Sequence, residues 1–173
     1  MTIESLESEP NFRRSGVSRE ETLRPRGNGP LPQGYDVQEL WFRLLSRPWS
    51  CLVVVSPDRT PKTLRLARSL AEFGTLHRRR PVEVIDALEL DLERAAAIAQ
   101  RLEPEAGAAR LADPRFVIAL DSPIVNPIAI EVLTAGDAVL MLLEKGVTRM
   151  PQARKIIEIA GRGRLVGAVL AAG

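Results

Sequence analysis

Residues 51–63, Cys-Leu-Val-Val-Val-Ser-Pro-Asp-Arg-Thr-Pro-Lys-Thr, set out a strand, a turn and the start of a helix. The run from Cys51 to Ser56 is almost continuously apolar, which is the pattern of a strand that is covered on both faces of a sheet. A turn with two prolines follows, and Lys62-Thr63 then opens a segment whose apolar residues recur at helical spacing. We expect a buried strand, a tight connection and a helix in direct succession.

This order of elements is that of a phosphate-binding loop, in which the pattern G-x-x-x-x-G-K-[ST] joins a strand to a helix. Counting back from Lys62, the two glycine positions hold Ser56 and Pro61. A loop that wraps phosphate with successive backbone N–H groups needs dihedral angles that Cβ-bearing residues resist, and proline has no N–H to donate. The lysine and the Thr63 hydroxyl of the motif are present without its glycines. An ordinary connection with Pro61 in the first helical turn fits the same residues.

Four further apolar runs follow, and helical patterns separate them. The runs are Val82–Ile85, Phe116–Leu120, Ala138–Leu143 and Leu165–Leu170. Helical patterns span Val37–Leu45, Leu66–Phe73, Leu92–Leu102, Pro127–Leu133 and Ala153–Ala160. Alternation of this kind predicts right-handed βαβ units. The expected fold is therefore a single α/β domain with a mostly parallel five-stranded sheet and helices on both faces.

Composition gives the outer limits of the function. The chain has 173 residues, of which 45% are hydrophobic and 27% charged, an ordinary balance for a soluble globular domain. A net charge of +2 is too small to imply binding to nucleic acid or to a membrane surface. One cysteine and one histidine exclude a disulfide within the chain and disfavour a metal cluster or a Ser-His-Asp arrangement.

The chain divides into two parts at about residue 34. Residues 1–34 contain few apolar side chains, so they are expected to form a mobile segment, and residues 35–173 to form the α/β domain. The N-terminus is acidic and lacks an apolar signal core, and no apolar run approaches the roughly 20 residues of a membrane helix. These features predict a cytoplasmic protein.

Ligands of parallel sheets bind beyond the carboxyl ends of the strands. That rule points to residues 56–63, 86, 121–123 and 144–148 as the candidate site. The candidate nucleotide-binding residues are Ser56, Lys62, Thr63, Asp86 and Asp121. If nucleotide binds, Thr63, Asp86 and Asp121 would hold Mg²⁺, because a hard cation prefers oxygen ligands. The strands that carry the two aspartates are expected to flank the loop, although aspartate is also common in the turn after a strand, where it caps the next helix.

The order of short motifs along the chain resembles one protein family. Leu52-Val-Val-Val-Ser56 with Lys62-Thr63, Glu83-Val-Ile-Asp86, and Val117-Ile-Ala-Leu-Asp121-Ser-Pro123 occur in the order of Walker A, A′ and Walker B segments. Gly136-Asp137-Ala-Val-Leu-Met-Leu-Leu143 resembles the strand that follows in that family. This set is similar to the deviant Walker A ATPases of the MinD/ParA type, and especially to the cytoplasmic domain of bacterial tyrosine kinases. The resemblance covers about residues 36–172.

The resemblance implies a P-loop-NTPase-like domain, shortened between Ala87 and Arg115. In that family the domain binds Mg-ATP and works in capsule or exopolysaccharide synthesis and export. The implied partners are a membrane chain-length or export protein, or an active kinase homologue, with homo- or hetero-oligomers possible. The chain departs from the family pattern, because the Walker A glycines are absent, Leu88 replaces a second aspartate, and Tyr35 is the single tyrosine. These departures favour a non-catalytic, partner-binding relative without a cofactor, placed at the inner membrane through its partner.

Two alternatives stay open from the sequence. The Lys62-Thr63 loop could still bind Mg-ATP weakly, as an ATPase or kinase. The arginines between positions 58 and 80 could bind DNA nonspecifically, as in ParA-like positioning proteins. A solvated helix face explains the arginines as well, and aromatic side chains for base stacking are scarce. Nucleic acid is therefore the least favoured partner.

Overall fold

The computed structural model describes residues 37–102 and 114–172, which alternate between helices and strands. The strands are β1 (Cys51–Val55), β2 (Val82–Ala87), β3 (Arg115–Leu120), β4 (Ala138–Glu144) and β5 (Leu165–Ala171). The helices are α1 (Val37–Leu44), α2 (Lys62–Arg78), α3 (Leu92–Leu102), α4 (Ala129–Ala135) and α5 (Met150–Ala160). All the strand pairings are parallel and belong to one sheet. The predicted α/β class with one five-stranded parallel sheet is confirmed over these residues.

The boundaries of the elements differ slightly from the predicted ones. The second strand continues past Ile85 to Ala87 and so includes Asp86, and the fifth helical pattern begins earlier, at Met150. The segment 1–34, which was predicted to be mobile, and the predicted domain start at residue 35 lie outside the described residues.

Strand order places β1 at the centre of the sheet. The order is β2-β3-β1-β4-β5, with Val53 of β1 opposite Ile118 on one side and Val139 on the other. Every residue of β1 is buried, as its apolar run predicts. The expectation that both aspartate strands flank the loop is correct for β3 and wrong for β2. Because β3 inserts between β1 and β2, the strand that carries Asp86 lies at the edge of the sheet.

Two apolar cores lie on the two faces of the sheet, as predicted. One contains α1 and α2 side chains such as Trp41 and Leu70, and the other contains α3, α4 and α5 side chains such as Leu133 and Ile156. The first core depends on a close approach between helices, because a Cβ atom at Gly74 of α2 would lie 2.3 Å from the Trp41 ring. With α2 fixed in this way, its first residues are held at the carboxyl end of β1.

Candidate functional site

The carboxyl ends of three neighbouring strands bring most of the predicted site residues to one edge of the sheet. β1 ends in the loop 56–61, β3 ends just before Asp121, and β4 ends at Glu144. α2 begins at Lys62, directly after the loop that follows β1. The sheet therefore assembles the loop lysine, Thr63 and one aspartate in the place where a parallel sheet binds its ligands.

The ammonium group of Lys62 is bound by the protein itself. Its Nζ lies 2.5 Å from Oε2 of Glu144 and donates a second hydrogen bond, of 2.8 Å, to the backbone carbonyl of Ala172. The Lys62 side chain is 23% exposed and the Glu144 side chain 9% exposed, so this ion pair is largely removed from water. The loop lysine thus ties the start of α2 to the ends of β4 and β5.

The hydroxyl groups of Ser56 and Thr63 also have partners within the loop. Thr63 is buried, and its Oγ1 donates a 3.0 Å hydrogen bond to the carbonyl of Thr60. Ser56 is buried, and its Oγ accepts a 3.2 Å hydrogen bond from the N–H of Asp58. Neither hydroxyl is presented to a ligand in this arrangement.

The loop carries a carboxylate where a phosphate would need donors. Asp58 Oδ2 accepts a short hydrogen bond from Thr148 Oγ1, and Thr148 Oγ1 in turn accepts one of 2.9 Å from the N–H of Glu144. Pro57 and Pro61 have no N–H to offer. The loop after β1 and the turn after β4 are therefore cross-linked by side chains, and a negative charge lies in the position of the motif that usually surrounds an anion.

The two predicted aspartates have different surroundings. Asp121 is 4% exposed, and its Oδ1 accepts a 2.9 Å hydrogen bond from the N–H of Ser122, whose hydroxyl donates to the Pro57 carbonyl at 2.7 Å. Asp86 is exposed at the sheet edge, where its Oδ1 accepts a 3.1 Å hydrogen bond from the N–H of Leu88. Asp121 is part of the loop's contacts, whereas Asp86 stabilises its own turn one strand further away.

The pKa of Glu144 reports the balance of forces in the ion pair. Burial pushes the pKa of this carboxyl upward, but hydrogen bonds from Lys62 and Thr60, together with the lysine charge, outweigh it. The net result is a pKa below the ordinary value of 4.5. The folded protein therefore favours an ionised Glu144, which keeps Lys62 paired at neutral pH.

The side chains at this edge do not fit a Mg-nucleotide as they are arranged. The lysine is hydrogen-bonded to a carboxylate and a carbonyl, the threonine hydroxyl donates to the backbone, and the loop contains two prolines and an aspartate. Within residues 37–102 and 114–172, no group of three His, Cys, Asp or Glu side chains lies close enough together to hold a metal ion. In this arrangement Lys62, Thr63 and Asp121 all form contacts within the protein.

Sequence reasoning missed the partner of Lys62. The rule for strand ends did point to residues 144–148, but Glu144 lies 82 positions from Lys62 in the chain. The one available signal was a glutamate at the end of an apolar run beside the central strand. The role of Asp58 was missed too, because only the folded turn brings it to Thr148.

Comparison with known proteins does not assign this chain to a family. No family model matches the chain, and no curated protein matches it. In the part of the chain that the structure describes, no helix has both the length and the apolar character needed to cross a membrane.

Proposed function

We propose that this protein is a non-catalytic, P-loop-like domain that acts by binding other proteins and does not turn over a nucleotide. The observation that carries the proposal is the contact of Lys62 with Glu144 and with the Ala172 carbonyl. To meet a phosphate, the lysine would have to leave the buried Glu144 carboxylate without its balancing positive charge, which is costly in a largely buried site. The prolines of the loop leave few backbone donors that could offset this cost.

Exposed apolar side chains at the same edge support binding of a protein partner. Leu92 is 69% exposed, Val125 54%, Val147 51% and Met150 62%, and these residues lie in the segments that follow β2, β3 and β4. Large exposed apolar side chains that share one region of a surface are typical of interaction sites. The end of the sheet that usually binds a small ligand therefore offers a surface suited to a protein.

The resemblance to the cytoplasmic domain of bacterial tyrosine kinases supplies the setting for this proposal. The partner would be a membrane chain-length or export protein, or an active kinase homologue, in capsule or exopolysaccharide synthesis. The protein would act in the cytoplasm, at the inner membrane through that partner. This setting depends on the order of motifs between residues 52 and 143.

Calorimetric titration of ATP and of ADP, each with and without Mg²⁺, tests the non-catalytic part of the proposal. We expect no binding heat at millimolar nucleotide, because the groups that would hold phosphate are engaged within the protein. Lys62→Ala is the matched control, since it removes the one loop cation of the motif. Any heat that persists unchanged in this variant does not come from the loop.

A weak Mg-ATP-binding enzyme is the second candidate. The observation in its favour is that these residues share one end of the sheet: Lys62 and Thr63 begin α2 after the loop of β1, and Asp121 directly follows the neighbouring strand β3. Micromolar, Mg²⁺-dependent binding that is lost in Lys62→Ala would establish this candidate and overturn the proposal.

A further inference from the structure

The two edge strands of the sheet are protected very differently. The β2 edge follows Pro81 and carries Glu83 and Asp86, and Glu83 forms an ion pair of 2.6 Å with Arg101. The β5 edge, Leu165–Ala171, reads Leu-Val-Gly-Ala-Val-Leu-Ala and contains neither a charge nor a proline. Charges and prolines on an edge strand prevent it from pairing with another chain. By this criterion β2 is protected against pairing with another chain, and β5 is not.

The backbone of β5 has hydrogen-bonding groups on its outer side, where none of the described strands pairs with it. Among the described residues, β5 pairs with β4 alone, and Lys145 N donates to the Ala171 carbonyl at 2.9 Å. Because the backbone groups of successive residues alternate in direction, those of Ala168 and Leu170 point away from β4. The register with β4 shifts once, near Val166, and is regular from Gly167 onward. The outward groups therefore lie in the regular part of the strand.

An exposed apolar strip adjoins this edge. Val169 and Ala171 are buried in the core beneath α1 and α2. The alternating side chains of Ala168 and Leu170 point to the opposite face of the sheet. On that face Ala168 is exposed and Leu170 is 58% exposed. The edge thus combines free backbone groups with a large exposed side chain.

We propose that β5 pairs in antiparallel orientation with β5 of a second copy of this chain, so that two sheets join into one. Pairing Ala168 with Leu170 of the other copy, and Leu170 with its Ala168, uses every outward N–H and carbonyl of these two residues. The exposed Leu170 side chains of both copies then lie on one face, beside the two Ala168 side chains. None of the residues in this pairing belongs to the loop after β1.

The uncharged sequence of β5 fits a second copy as the occupant, and the charges around the strand favour one orientation. A strand without charges pairs with itself without burying an unpaired ion. The arginines cluster at one end, where Arg162 and Arg164 precede β5 and Arg47 donates to the Gly163 carbonyl at 3.2 Å. Antiparallel pairing keeps the two sets of arginines at opposite ends of the joined strands, whereas parallel pairing would bring like charges together. A two-fold axis, the commonest symmetry of protein dimers, gives the antiparallel arrangement.

Mass measurement in solution tests this interface. Light scattering after size-exclusion chromatography, over a range of concentrations, should give twice the chain mass of 19.0 kDa. Leu170→Lys places a charge on the strip, and Ala168→Pro removes an outward N–H without removing a bond to β4. Both variants should be monomeric, so that the measured mass is half that of the wild-type protein. Leu76→Lys is the matched control, because Leu76 is 78% exposed on α2, away from this edge, and this variant should stay dimeric.

Hydrogen exchange locates the contact. In the dimer the Leu170 amide should exchange slowly, and in Ala168→Pro it should exchange at the rate of an exposed amide. A wild-type protein that is monomeric at every concentration up to the millimolar range would overturn the proposal, and so would a dimer that survives both substitutions. If thermal melts show that one variant does not fold, the other decides, since one alters a side chain and the other a backbone group.

Discussion

At each end of β1 a carboxylate from β4 or from the residue before it forms the main polar contacts, but the groups that it contacts differ between the two ends. At the amino end, Oδ2 of Asp137 accepts hydrogen bonds from Ser50 N at 3.0 Å, Ser50 Oγ at 2.9 Å and Cys51 N at 3.0 Å. At the carboxyl end, Glu144 holds Lys62 at 2.5 Å. The carboxyl end, where parallel sheets usually bind ligands, is therefore held by contacts within the protein, as the amino end is. At this end the lysine connects the start of α2 to β4.

The difference between the ends lies in how each negative charge is balanced. Glu144 is balanced by a full positive charge, whereas the hydrogen bonds that Asp137 receives come from neutral N–H and O–H donors. Burial and the nearby Asp137 charge together raise the pKa of the Cys51 thiol from 9.0 to about 12, although a hydrogen bond with Asp137 acts in the opposite direction. The amino end thus disfavours any further negative charge. The carboxyl end, in contrast, favours the negative charge of Glu144.

The largest expected effect is on the reactivity of Cys51 at the amino end. With its pKa raised from 9.0 to about 12, the thiolate population at mildly alkaline pH falls about a thousandfold. A disulfide reagent such as Ellman's reagent should therefore modify the native protein at least that much more slowly than the protein unfolded in guanidinium. A Cys51→Ala, Ser46→Cys double variant provides an exposed thiol as the control. Comparable rates for native Cys51 and this control would contradict the described amino end.

The next largest effect is the loss of the amino-end carboxylate. Asp137→Ala removes the acceptor of three hydrogen bonds from Ser50 and Cys51, which should lower the free energy of unfolding by about 3 kcal/mol. Urea denaturation measures it. Asp91→Ala is the control, since Asp91 accepts a hydrogen bond from the N–H of Arg94 at the start of α3, and it should cost about 1 kcal/mol. Equal losses in the two variants would show that Asp137 contributes no more than an ordinary helix cap.

At the carboxyl end, Glu144→Gln should have a smaller effect on stability. The change keeps the shape of the side chain but removes the charge that balances Lys62, so unfolding should become easier by about 2 kcal/mol. The matched control is Glu158→Gln, whose carboxylate is 70% exposed and 3.9 Å from Lys155, and it should change stability by less than about 0.5 kcal/mol. A Glu144→Gln variant as stable as this control would mean that the ion pair does not hold the loop.

The smallest expected effect is the pH dependence of that difference. Because the folded-state pKa of Glu144 lies below the ordinary value of 4.5, its contribution is complete above pH 4.5 and is lost as the pH falls through the folded-state pKa. The stability gap between the wild type and Glu144→Gln should be constant near neutral pH and should shrink in acid. Urea denaturation at several pH values measures the gap. A gap that widens on acidification would reverse the assigned direction of the pKa.

The fold was largely predictable because buried parallel strands and amphipathic helices leave strong patterns in a sequence. Cys51–Val55 and Ala138–Glu144 are nearly continuous apolar runs, and each becomes a strand close to its predicted bounds. Strand order was harder to predict, because apolar runs show that strands exist and do not show which are neighbours. The expectation that the Asp86 strand flanks the loop after β1 failed for this reason, because β3 lies between the two strands.

The candidate site was predictable in position and not in chemistry. Lys62, Thr63 and Asp121 were placed at one edge by the general rule for parallel sheets, and the structure puts them there. The pairing of Lys62 with Glu144 depends on side-chain directions at the ends of two neighbouring elements, which sequence spacing does not encode. The same holds for Trp41, whose ring occupies the space left by Gly74 and so fixes α1 on α2.

The most direct measurement is a nuclear magnetic resonance titration of the wild-type protein with Mg-ATP, following the backbone amides of the non-proline residues from Ser56 to Thr63. If the loop is closed by its own side chains, millimolar Mg-ATP should leave these amide resonances, and the side-chain ammonium resonance of Lys62, where they are in the free protein. Saturable shifts that cluster on this loop and on Lys62 would show that the lysine leaves Glu144 for a phosphate, and would contradict a non-catalytic role.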